Sequence, residues 1–292
     1  MKMMDAGIIR SRHNALVKHA RAVRERRASE DRIFIEGLRL SEEALNSRLN
    51  IQEVLYTEKL QSDARGERLL GELRAAGCRI TLLSEEVLAY ISDTSGPQGI
   101  VLLASRPKAS VDKVLAGPPA ASTESAGVRQ PAHAGLPLIV VIHGINNPSN
   151  AGAILRTAEA AGASAAIATK GTADIFSPKA LRGAMGSSFR LPALVGADFA
   201  EVVSMCRSSN IRTIGASTGA RLTHTQADWR KPCALFVGSE AAGLTDEEAS
   251  MLDEAVRIPM QEPVESLNVA VASGIILYEA ARQRGIAGIG RG

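Results

Sequence analysis

The sequence predicts an α/β protein of two domains, in which a smaller N-terminal α/β domain precedes a doubly wound parallel sheet. The first observation is the length of 292 residues, which suits two domains. The second is that most apolar segments after residue 137 are continuous runs, such as LIVVIH and CALFV, which is typical of parallel strands covered on both faces. The third is that helical segments alternate with these strands.

In the first hundred residues, short apolar strands alternate with amphipathic helices. The predicted strands are 32–36, 51–56, 79–83 and 100–104. The predicted helices are 39–47 and 67–76. The pattern breaks at residues 107–137, of which 18 are Pro, Gly, Ala or Ser, so this stretch is interpreted as a linker or an ordered surface excursion. Domains are therefore predicted at 1–106 and 138–292.

The second domain continues with a regular alternation of strands and helices. Its predicted strands are 138–143, 165–169, 211–216, 233–237 and 256–260. Its predicted helices are 151–161, 178–186, 199–208, 246–254 and 267–284. Thr245 and Glu248 have the spacing of a capping box at the start of one helix. Open parallel sheets bind ligands beyond the carboxyl ends of their strands, so function is expected in the segments that follow the strands.

The composition is that of a globular protein and narrows the classes of function. Hydrophobic residues make up 45% and charged residues 22%, and no apolar run is long enough to span a bilayer. The N-terminus lacks the apolar core of a signal peptide, so a cytoplasmic protein without a membrane partner is predicted. The three cysteines are far apart and the histidines are scattered, which predicts neither a disulfide framework nor a metal site.

Positive charge is concentrated near the N-terminus, although the net charge is only +3. Seven Lys or Arg side chains lie between Arg10 and Arg27, with Glu25 as the one acid. Such a cluster is typical of a protein that binds a phosphate backbone, and a solvated helix face explains this segment equally well. The candidate phosphate-binding residues are Arg10, Arg12, Lys18, Arg21 and Arg24. Aromatic residues make up only 3%, so stacking of bases on aromatic side chains is not expected to dominate recognition.

The first segment that could carry chemistry is 146–156, NNPSNAGAILR, which follows the strand ending at His143. Pro148 fixes the turn, Asn150 can cap the helix, and the small residues after it allow another backbone to approach closely. Arg156 lies on a different face from the apolar residues of this helix and would reach the crevice. An ordinary cap and a surface arginine explain the same residues, and in isolation that interpretation is favoured.

The second segment, 238–245, reads GSEAAGLT and nearly spells a phosphate-binding P-loop after a strand. Leu244 stands where the P-loop has its lysine, and Glu240 places a carboxylate where phosphates need backbone N–H groups. The segment is therefore interpreted as a tight turn that brings backbone close to a small ligand, with Glu240 facing the crevice. No G-x-G-x-x-G opens a helix, so a dinucleotide-binding domain lacks its fingerprint.

The third segment, 258–268, reads IPMQEPVESLN and lies between the last strand and the last helix. Its two prolines prevent regular pairing, and Ser266 and Asn268 gather polar groups beside an apolar helix. Polar side chains in such a place need partners or a ligand. A plain N-cap by Ser266 would explain one of these residues but not the other.

Taken together, the three segments resemble the signature motifs of the SpoU/TrmH family of RNA 2′-O-methyltransferases. The resemblance rests on the ordered set NPSNAGAILRTAEAAG, LFVGSEAAGL, and IPM followed by ESLNVAVASGIILYE. Nearer the N-terminus, FIEGLRLSEEAL and SDTSGPQGIVLLA resemble the family's accessory substrate-binding domain, which is similar to RNA-binding ribosomal proteins. The resemblance covers residues 10–284 apart from the linker, and Ser239 departs from the asparagine of many members.

The resemblance implies a catalytic domain with a deep trefoil knot, made by residues 238–284, and S-adenosylmethionine as the cofactor. It also implies a homodimer with active sites near the interface, and RNA bound by the accessory substrate-binding domain. The residues implied to bind the cofactor are Ala216, Ser217, Gly238, Ile258, Met260 and Leu267. The residues implied to carry catalysis are Asn150, Arg156, Glu240, Ser266 and Asn268.

Arg156 resembles the family's catalytic arginine, for which a role as general base assisted by a substrate phosphate has been proposed. A guanidinium stays protonated in proteins, so an alternative is that Arg156 holds the phosphate and stabilises the developing alkoxide. Asn150 would orient Arg156 or the ribose, and Glu240 would orient Arg156 or the substrate. Ser266 and Asn268 would fix the target nucleotide and line the pocket.

Several alternatives remain at the level of the sequence. The resemblance favours large-subunit ribosomal RNA over transfer RNA as the substrate, and it does not identify the nucleotide. A non-catalytic RNA-binding or ribosome-assembly factor on the same scaffold would be expected to have a degenerate pocket, whereas all five implied catalytic residues are present. Base-methylating relatives with knotted folds do not carry this residue set, and a dehydrogenase or an NTPase would need the missing glycine and lysine patterns.

Overall fold

The structure is a computed structural model that describes residues 7–27, 31–117 and 135–285. The chain divides into two compact units. The first unit consists of the described residues up to Pro107 together with Phe176–Phe189, and the second consists of the other described residues. No helix in these ranges is both long and apolar enough to cross a membrane.

Within the described ranges, the helices and strands alternate along the chain. The strands are β1 (Arg32–Glu36), β2 (Ile51–Tyr56), β3 (Arg79–Leu82), β4 (Ile100–Ser105), β5 (Leu138–Ile142), β6 (Ala165–Thr169), β7 (Ala193–Ala197), β8 (Arg212–Ala216), β9 (Leu222–Thr223), β10 (Cys233–Val237) and β11 (Glu254–Arg257). The helices are α1 (Ala15–Arg24), α2 (Leu38–Asn46), α3 (Glu58–Gln61), α4 (Ala64–Ala75), α5 (Glu85–Ile91), α6 (Val111–Leu115), α7 (Pro148–Ala160), α8 (Pro178–Ala184), α9 (Ser187–Arg190), α10 (Phe199–Ser208), α11 (Asp246–Ser250) and α12 (Val269–Gln283). Every strand and helix predicted from the sequence is present: β1, β2, β6, β10 and α10 lie at their predicted bounds, and the others have shifted ends. The elements that were not predicted are β7, β9, α1, α3, α5, α6 and α9.

The sheet of the first unit has the strand order β1-β4-β2-β3. Strand β4 runs antiparallel to β1 and β2, and β3 runs parallel to β2. Helix α1 begins at Asn14, whose side chain accepts a hydrogen bond from the backbone N–H two residues later (2.8 Å). Its residues Val17, Ala20 and Val23 recur every three positions and are buried in the same cluster as Phe34 of β1. The basic segment therefore includes a helix with one buried face.

The predicted linker and the segment around α8 differ in detail from the sequence interpretation. Residues 118–134 of the predicted linker lie outside the described ranges. Before them, α6 begins at Ser110, whose hydroxyl accepts a hydrogen bond from the Lys113 N–H (3.3 Å). Helix α8, which the sequence analysis assigned to the second domain, packs on β1 within the first unit.

The second unit is built on a sheet with the strand order β7-β6-β5-β10-β8-β11-β9. All of its neighbouring strands run parallel, which confirms the predicted parallel sheet. Every residue of β5 and β10 is buried, which explains why these strands are continuous apolar runs. Strand β10 lies between β5 and β8 although it follows both in the chain, an order consistent with the trefoil knot that the resemblance implies. As a result, the carboxyl ends of β5 and β10 lie side by side.

The end of α12 is anchored by Arg284, a buried arginine that is 5% exposed. Its guanidinium donates hydrogen bonds to the backbone carbonyl oxygens of Leu136 (2.8 Å), Pro137 (2.9 Å), Trp229 (2.7 Å) and Lys231 (2.7 Å). These carbonyls belong to the segments that lead into β5 and β10. The side chain thus fixes the last helix to the beginnings of the two central strands.

Candidate active site and cofactor cavity

Three segments that follow parallel strands meet at one edge of the sheet. They are the start of α7 after β5, the loop 238–244 after β10, and the loop 258–268 after β11. The structure joins the predicted site residues Glu240, Asn150 and Asn268 in one chain of hydrogen bonds across these segments. The convergence follows from the topology, since the carboxyl ends of neighbouring parallel strands share an edge.

Glu240 binds the beginning of α7. Its two carboxylate oxygens accept hydrogen bonds from the backbone N–H groups of Asn146 and Asn147 (both 3.1 Å) and from the Asn150 amide (3.0 Å). Burial alone would raise the pKa of the Glu240 carboxyl, but the bonds from the Asn150 side chain and the two backbone N–H groups lower it below its ordinary value. The carboxylate therefore stays charged and holds the helix start, where negative charge also suits the helix dipole.

Asn268 caps α12 and contacts Asn150 at the same time. Its side-chain oxygen accepts hydrogen bonds from the backbone N–H groups of Ala270 (2.9 Å) and Val271 (3.4 Å). Its amide nitrogen donates to the Asn150 side-chain oxygen (3.3 Å). The cap considered for Ser266 in the sequence is thus made by Asn268, and the Asn150 amide connects the starts of two helices.

A cavity of about 410 Å³ lies beside this network. Its size falls in the range of roughly 300–1,000 Å³ that small-molecule pockets have. All six residues that the resemblance implied as cofactor-binding line it, and they come from the ends of three strands: Ala216, Ser217, Gly238, Ile258, Met260 and Leu267. Glu240 and Ser266 line the same cavity. Leu244, Arg257 and Glu265 also line it and were not assigned to the cofactor site from the sequence.

The loop 238–244 forms the most continuous part of the cavity wall. Ser239 and Gly243 exchange backbone hydrogen bonds of 3.1 and 2.9 Å, so the loop turns back on itself. A Cβ atom on residue 238 would lie 2.2 Å from the carbonyl carbon of Gly243, which no backbone can accommodate without moving. Gly243 has a φ of +66°, which suits a residue without a Cβ. The glycines therefore permit the tight turn that the sequence predicted.

Arg156 and Ser266 are placed differently from the bonded residues. Arg156 is exposed on α7, and in the described part of the chain it has neither a hydrogen bond nor an ion pair. Glu240 contacts the start of α7 and not Arg156, so an orienting role of Glu240 toward this arginine has no contact to support it among the described residues. Ser266 is exposed at the cavity, also without a hydrogen-bond partner among the described residues.

The predicted basic residues of the first unit fall into two groups. Arg10, Arg12 and Lys18 are exposed. Arg21 instead donates a hydrogen bond to the Tyr90 hydroxyl and pairs with Glu25, and Arg24 donates to the backbone carbonyls of residues 91 (3.1 Å) and 92 (2.5 Å). The guanidinium of Arg12 lies over the Tyr90 ring at 4.9 Å from its centre. Part of the cluster thus stabilises the unit itself, and part of it faces solvent.

Metal ligation finds no support in the described ranges, where no cluster of three or more His, Cys, Asp or Glu side chains could hold an ion. Two of the three cysteines are buried, and burial raises the pKa of the Cys206 thiol to about 12. The pKa of Cys233 is raised as well, again through burial.

Comparison with known proteins matches two separate parts of the chain to known families. Residues 137–278 match the model of the SpoU rRNA Methylase family, and residues 14–102 match that of the MRM3-like substrate binding domain. The 23S rRNA (guanosine-2′-O-)-methyltransferase RlmB of Ralstonia nicotianae is 32% identical over 80% of this chain and 88% of its own length. The chain belongs to the SpoU rRNA methylase family. As a SpoU-family protein, it is an RNA methyltransferase.

Solved SpoU-type structures extend this likeness to nearly the whole chain. The rRNA methyltransferase of Sinorhizobium meliloti, in its AdoMet-bound crystal structure, is 27% identical and superposes with a TM-score of 0.77 over 94% of this chain and 97% of its own. The SpoU methyltransferase AviRb of Streptomyces viridochromogenes, in complex with AdoMet, is 26% identical with a TM-score of 0.79, covering 93% and 98%. The SpoU fold assignment therefore holds for both units.

Proposed function

We propose that this SpoU-family protein transfers a methyl group from S-adenosylmethionine to a ribose 2′-hydroxyl of ribosomal RNA, with large-subunit RNA as the substrate. The observation that carries the proposal is the cavity at the strand ends, which all six implied cofactor-binding residues line. The adjoining network of Glu240, Asn150 and Asn268 supports it, because it fixes the two helix starts beside the cavity. The relative from Ralstonia nicotianae carries this activity in its name.

The residues of the cavity fit S-adenosylmethionine in their chemistry. Leu244, Ile258 and Leu267 supply apolar surface for a purine, and hydroxyl groups and backbone at the strand ends supply hydrogen bonds. Glu240 and Glu265, together with Arg257, also line the cavity and give it groups of both charges for a ligand that carries an amine, a carboxylate and a sulfonium. When bound, S-adenosylmethionine supplies an electrophilic methyl group on its sulfonium centre.

The chain's own residues then have separate roles. Asn150, held by Glu240 and Asn268, keeps the start of α7 in place and so orients the helix that carries Arg156. Arg156, without a partner in the described part of the chain, is available to bind a substrate phosphate and to stabilise the charge that develops on the ribose oxygen. Ser266 is likewise available to hydrogen-bond the target nucleotide. Alignment of the reacting groups by such contacts can lower a barrier by roughly 7–11 kcal/mol.

The part of the first unit that lies within residues 1–106 is proposed to bind the RNA, and residues 107–137 to link it to the catalytic domain at 138–292, of which Phe176–Phe189 pack in the first unit. The exposed Arg10, Arg12 and Lys18 supply positive charge for the phosphate backbone. The match of residues 14–102 to a substrate-binding domain supports this assignment.

A homodimer is proposed from an apolar stripe on α12. Val271, Ile275 and Tyr278 recur at helical spacing and are 52%, 37% and 43% exposed. With Ala153 and Thr157 of α7 they line a shallow apolar groove. Exposed apolar patches of this kind mark interaction surfaces, and a second copy of the chain would cover the stripe symmetrically.

The decisive experiment is methyl transfer to defined RNA. The purified protein is incubated with tritium-labelled S-adenosylmethionine and with ribosomal or transfer RNA from a strain that lacks the gene, and the modified nucleosides are identified by mass spectrometry. A 2′-O-methyl nucleoside in large-subunit RNA is the expected product. A methylated base, or modification of transfer RNA alone, would replace the proposed reaction or substrate, and cofactor binding without transfer to either RNA would favour a non-catalytic factor. Light scattering of the same preparation tests the dimer.

A further inference from the structure

A second connection between the segments after β5 and β10 joins His143 to Glu248. His143 directly follows β5, and its Nε2 atom lies 2.8 Å from a carboxylate oxygen of Glu248 in α11. Its other ring nitrogen, Nδ1, lies 2.8 Å from the hydroxyl oxygen of Thr169 at the end of β6. Both ring nitrogens are therefore engaged, and the ring connects the ends of two strands with α11.

Both carboxylate oxygens of Glu248 make polar contacts. One oxygen contacts His143, and the other accepts a hydrogen bond from the backbone N–H of Thr245 (2.8 Å). The Thr245 hydroxyl accepts a hydrogen bond from the Glu248 N–H in return (3.2 Å), which completes the capping box predicted from the sequence. Thr245 is the residue directly after loop 238–244, so the end of that loop is tied through Glu248 to His143.

The histidine ring is held in one orientation by packing as well as by hydrogen bonds. It makes an edge-to-face contact with Phe199, with ring centres 4.8 Å apart, and Phe199 makes a similar contact with Phe236 of β10 at 5.3 Å. The side chains of His143 and Glu248 are 20% and 22% exposed, so their interaction is screened less than a surface ion pair. Helix α11 itself has no buried residue, which leaves the contact with His143 as a specific anchor for it.

We propose that His143 is a positioning residue that holds the cofactor-binding loop in its closed form through Glu248. The inference rests on the proposed function, because it assigns the cavity to S-adenosylmethionine. Glu240 ties the beginning of the loop to the start of α7, and the His143–Glu248 pair ties its end to β5. With both ends fixed to the segment that follows β5, the wall of the cavity is formed before the cofactor arrives, and binding does not have to order it.

Two substitutions of His143 separate this role from general packing. His143→Phe keeps an aromatic ring against Phe199 and removes both polar contacts, whereas His143→Gln retains a donor that can reach Glu248. Calorimetry with S-adenosylmethionine should give a Kd about tenfold higher for His143→Phe than for the wild type. Without the charge-assisted hydrogen bond the loop is not ordered beforehand, so cofactor binding has to supply the free energy that orders it. His143→Gln should restore most of the affinity. Arg230→Ala, which removes an exposed pair with Asp228 outside the cavity wall, is the matched control and should bind as the wild type does.

The double variant His143→Phe/Glu248→Ala tests whether the two side chains act together. If they form one connection, the double variant should bind no more weakly than the weaker single variant, and fully additive losses would overturn the proposal. Wild-type affinity in His143→Phe would overturn it as well. A larger loss of affinity in His143→Gln than in His143→Phe would assign His143 a packing role only and would also overturn the proposal.

Amide hydrogen exchange of the protein without cofactor gives a readout that does not depend on the proposed function. His143→Phe should speed exchange in residues 238–248 and leave α12 unchanged. If the wild type does not bind S-adenosylmethionine, the proposed function fails, while the exchange result still decides whether His143 orders the loop. Unchanged exchange in residues 238–248 would overturn the proposal.

Discussion

Replacing Arg284 by methionine should be among the most destabilising single changes in the second unit. Arg284 donates hydrogen bonds to four backbone carbonyls and is 5% exposed. In Arg284→Met the helix and the approximate length of the side chain are kept, and the donors are removed. The carbonyls then remain where the fold places them, without the group that satisfied them.

The expected loss in the free energy of unfolding depends on which of the four carbonyls also accept a hydrogen bond from another donor. The carbonyl of Pro137 also accepts a hydrogen bond from the Cys233 N–H (3.1 Å), whereas those of Leu136, Trp229 and Lys231 accept only from Arg284 among the described residues. A buried acceptor left without a partner costs about 1–3 kcal/mol. Removing the buried charge offsets part of this cost. A net loss of about 3 kcal/mol in the free energy of unfolding is therefore expected.

Urea unfolding followed by tryptophan fluorescence measures this loss directly. Trp229 is the one tryptophan of the chain and is fully buried, so its emission reports on the second unit. Circular dichroism should give the same midpoint, and an unchanged m-value would show that the change is one of stability. Arg284→Lys keeps the charge but loses the planar fork of donors, so it should fall between the wild type and Arg284→Met.

The matched control is Arg230→Met, which alters an arginine of the same region whose side chain is 57% exposed and paired with Asp228. Such exposed pairs contribute about 0–1 kcal/mol, so this variant should unfold close to the wild type. If Arg284→Met were as stable as the control, the four hydrogen bonds would not be what anchors α12, and the reasoning would be wrong.

Three further changes test the site and the RNA-binding surface. Arg156→Ala should lower kcat by at least about 10²–10³-fold in the tritium-methyl assay, and wild-type turnover would refute the role of this arginine. The Kd of S-adenosylmethionine should stay unchanged, because Arg156 has no partner in the described part of the site. Gly238→Ala should abolish cofactor binding measured by calorimetry, since its Cβ would lie 2.2 Å from the Gly243 carbonyl carbon, whereas Gly219→Ala, with nothing nearer than 4.0 Å, should bind normally. Arg12→Glu should weaken RNA binding and reduce its salt dependence, and a salt-independent effect would contradict the electrostatic account. Arg24→Glu should mainly lower the melting temperature of the first unit, because Arg24 donates hydrogen bonds to backbone carbonyls there.

Elements whose pattern is set by burial were predicted close to their observed bounds. Strand β10 was predicted at its observed bounds, and β5 within one residue, because fully buried parallel strands are recorded as unbroken apolar runs. Strand β11 was predicted at 256–260 and lies at Glu254–Arg257. Its position is set by pairing with β8 and β9, which a local pattern does not contain. Edge strand β7 was not predicted, because its residues are of mixed burial and so do not form a continuous apolar run.

Contacts between distant residues are the part that no local pattern could provide. From the sequence, a carboxylate, an amide and a helix cap were expected at the strand ends. Glu240 was expected to contact Arg156 or the substrate, whereas in the structure it contacts the start of α7. His143 was noted only as the end of a strand, because its partners lie 26 and 105 residues away in the chain. The assignment of α8 to the first unit likewise depends on packing against β1.

The pattern of satisfied and unsatisfied side chains at the site separates positioning from contact with substrate. Glu240, Asn150 and Asn268 are bonded to one another and to helix starts, so they cannot turn toward a ligand without breaking those bonds. Arg156 and Ser266 have no such partners among the described residues, so a substrate can engage them without that cost. In such a site the hydrogen-bonded residues hold the helix starts in place, and the side chains without partners among the described residues are available to contact the substrate. The bonded residues should therefore respond to substitution through geometry and stability, and the free ones through turnover.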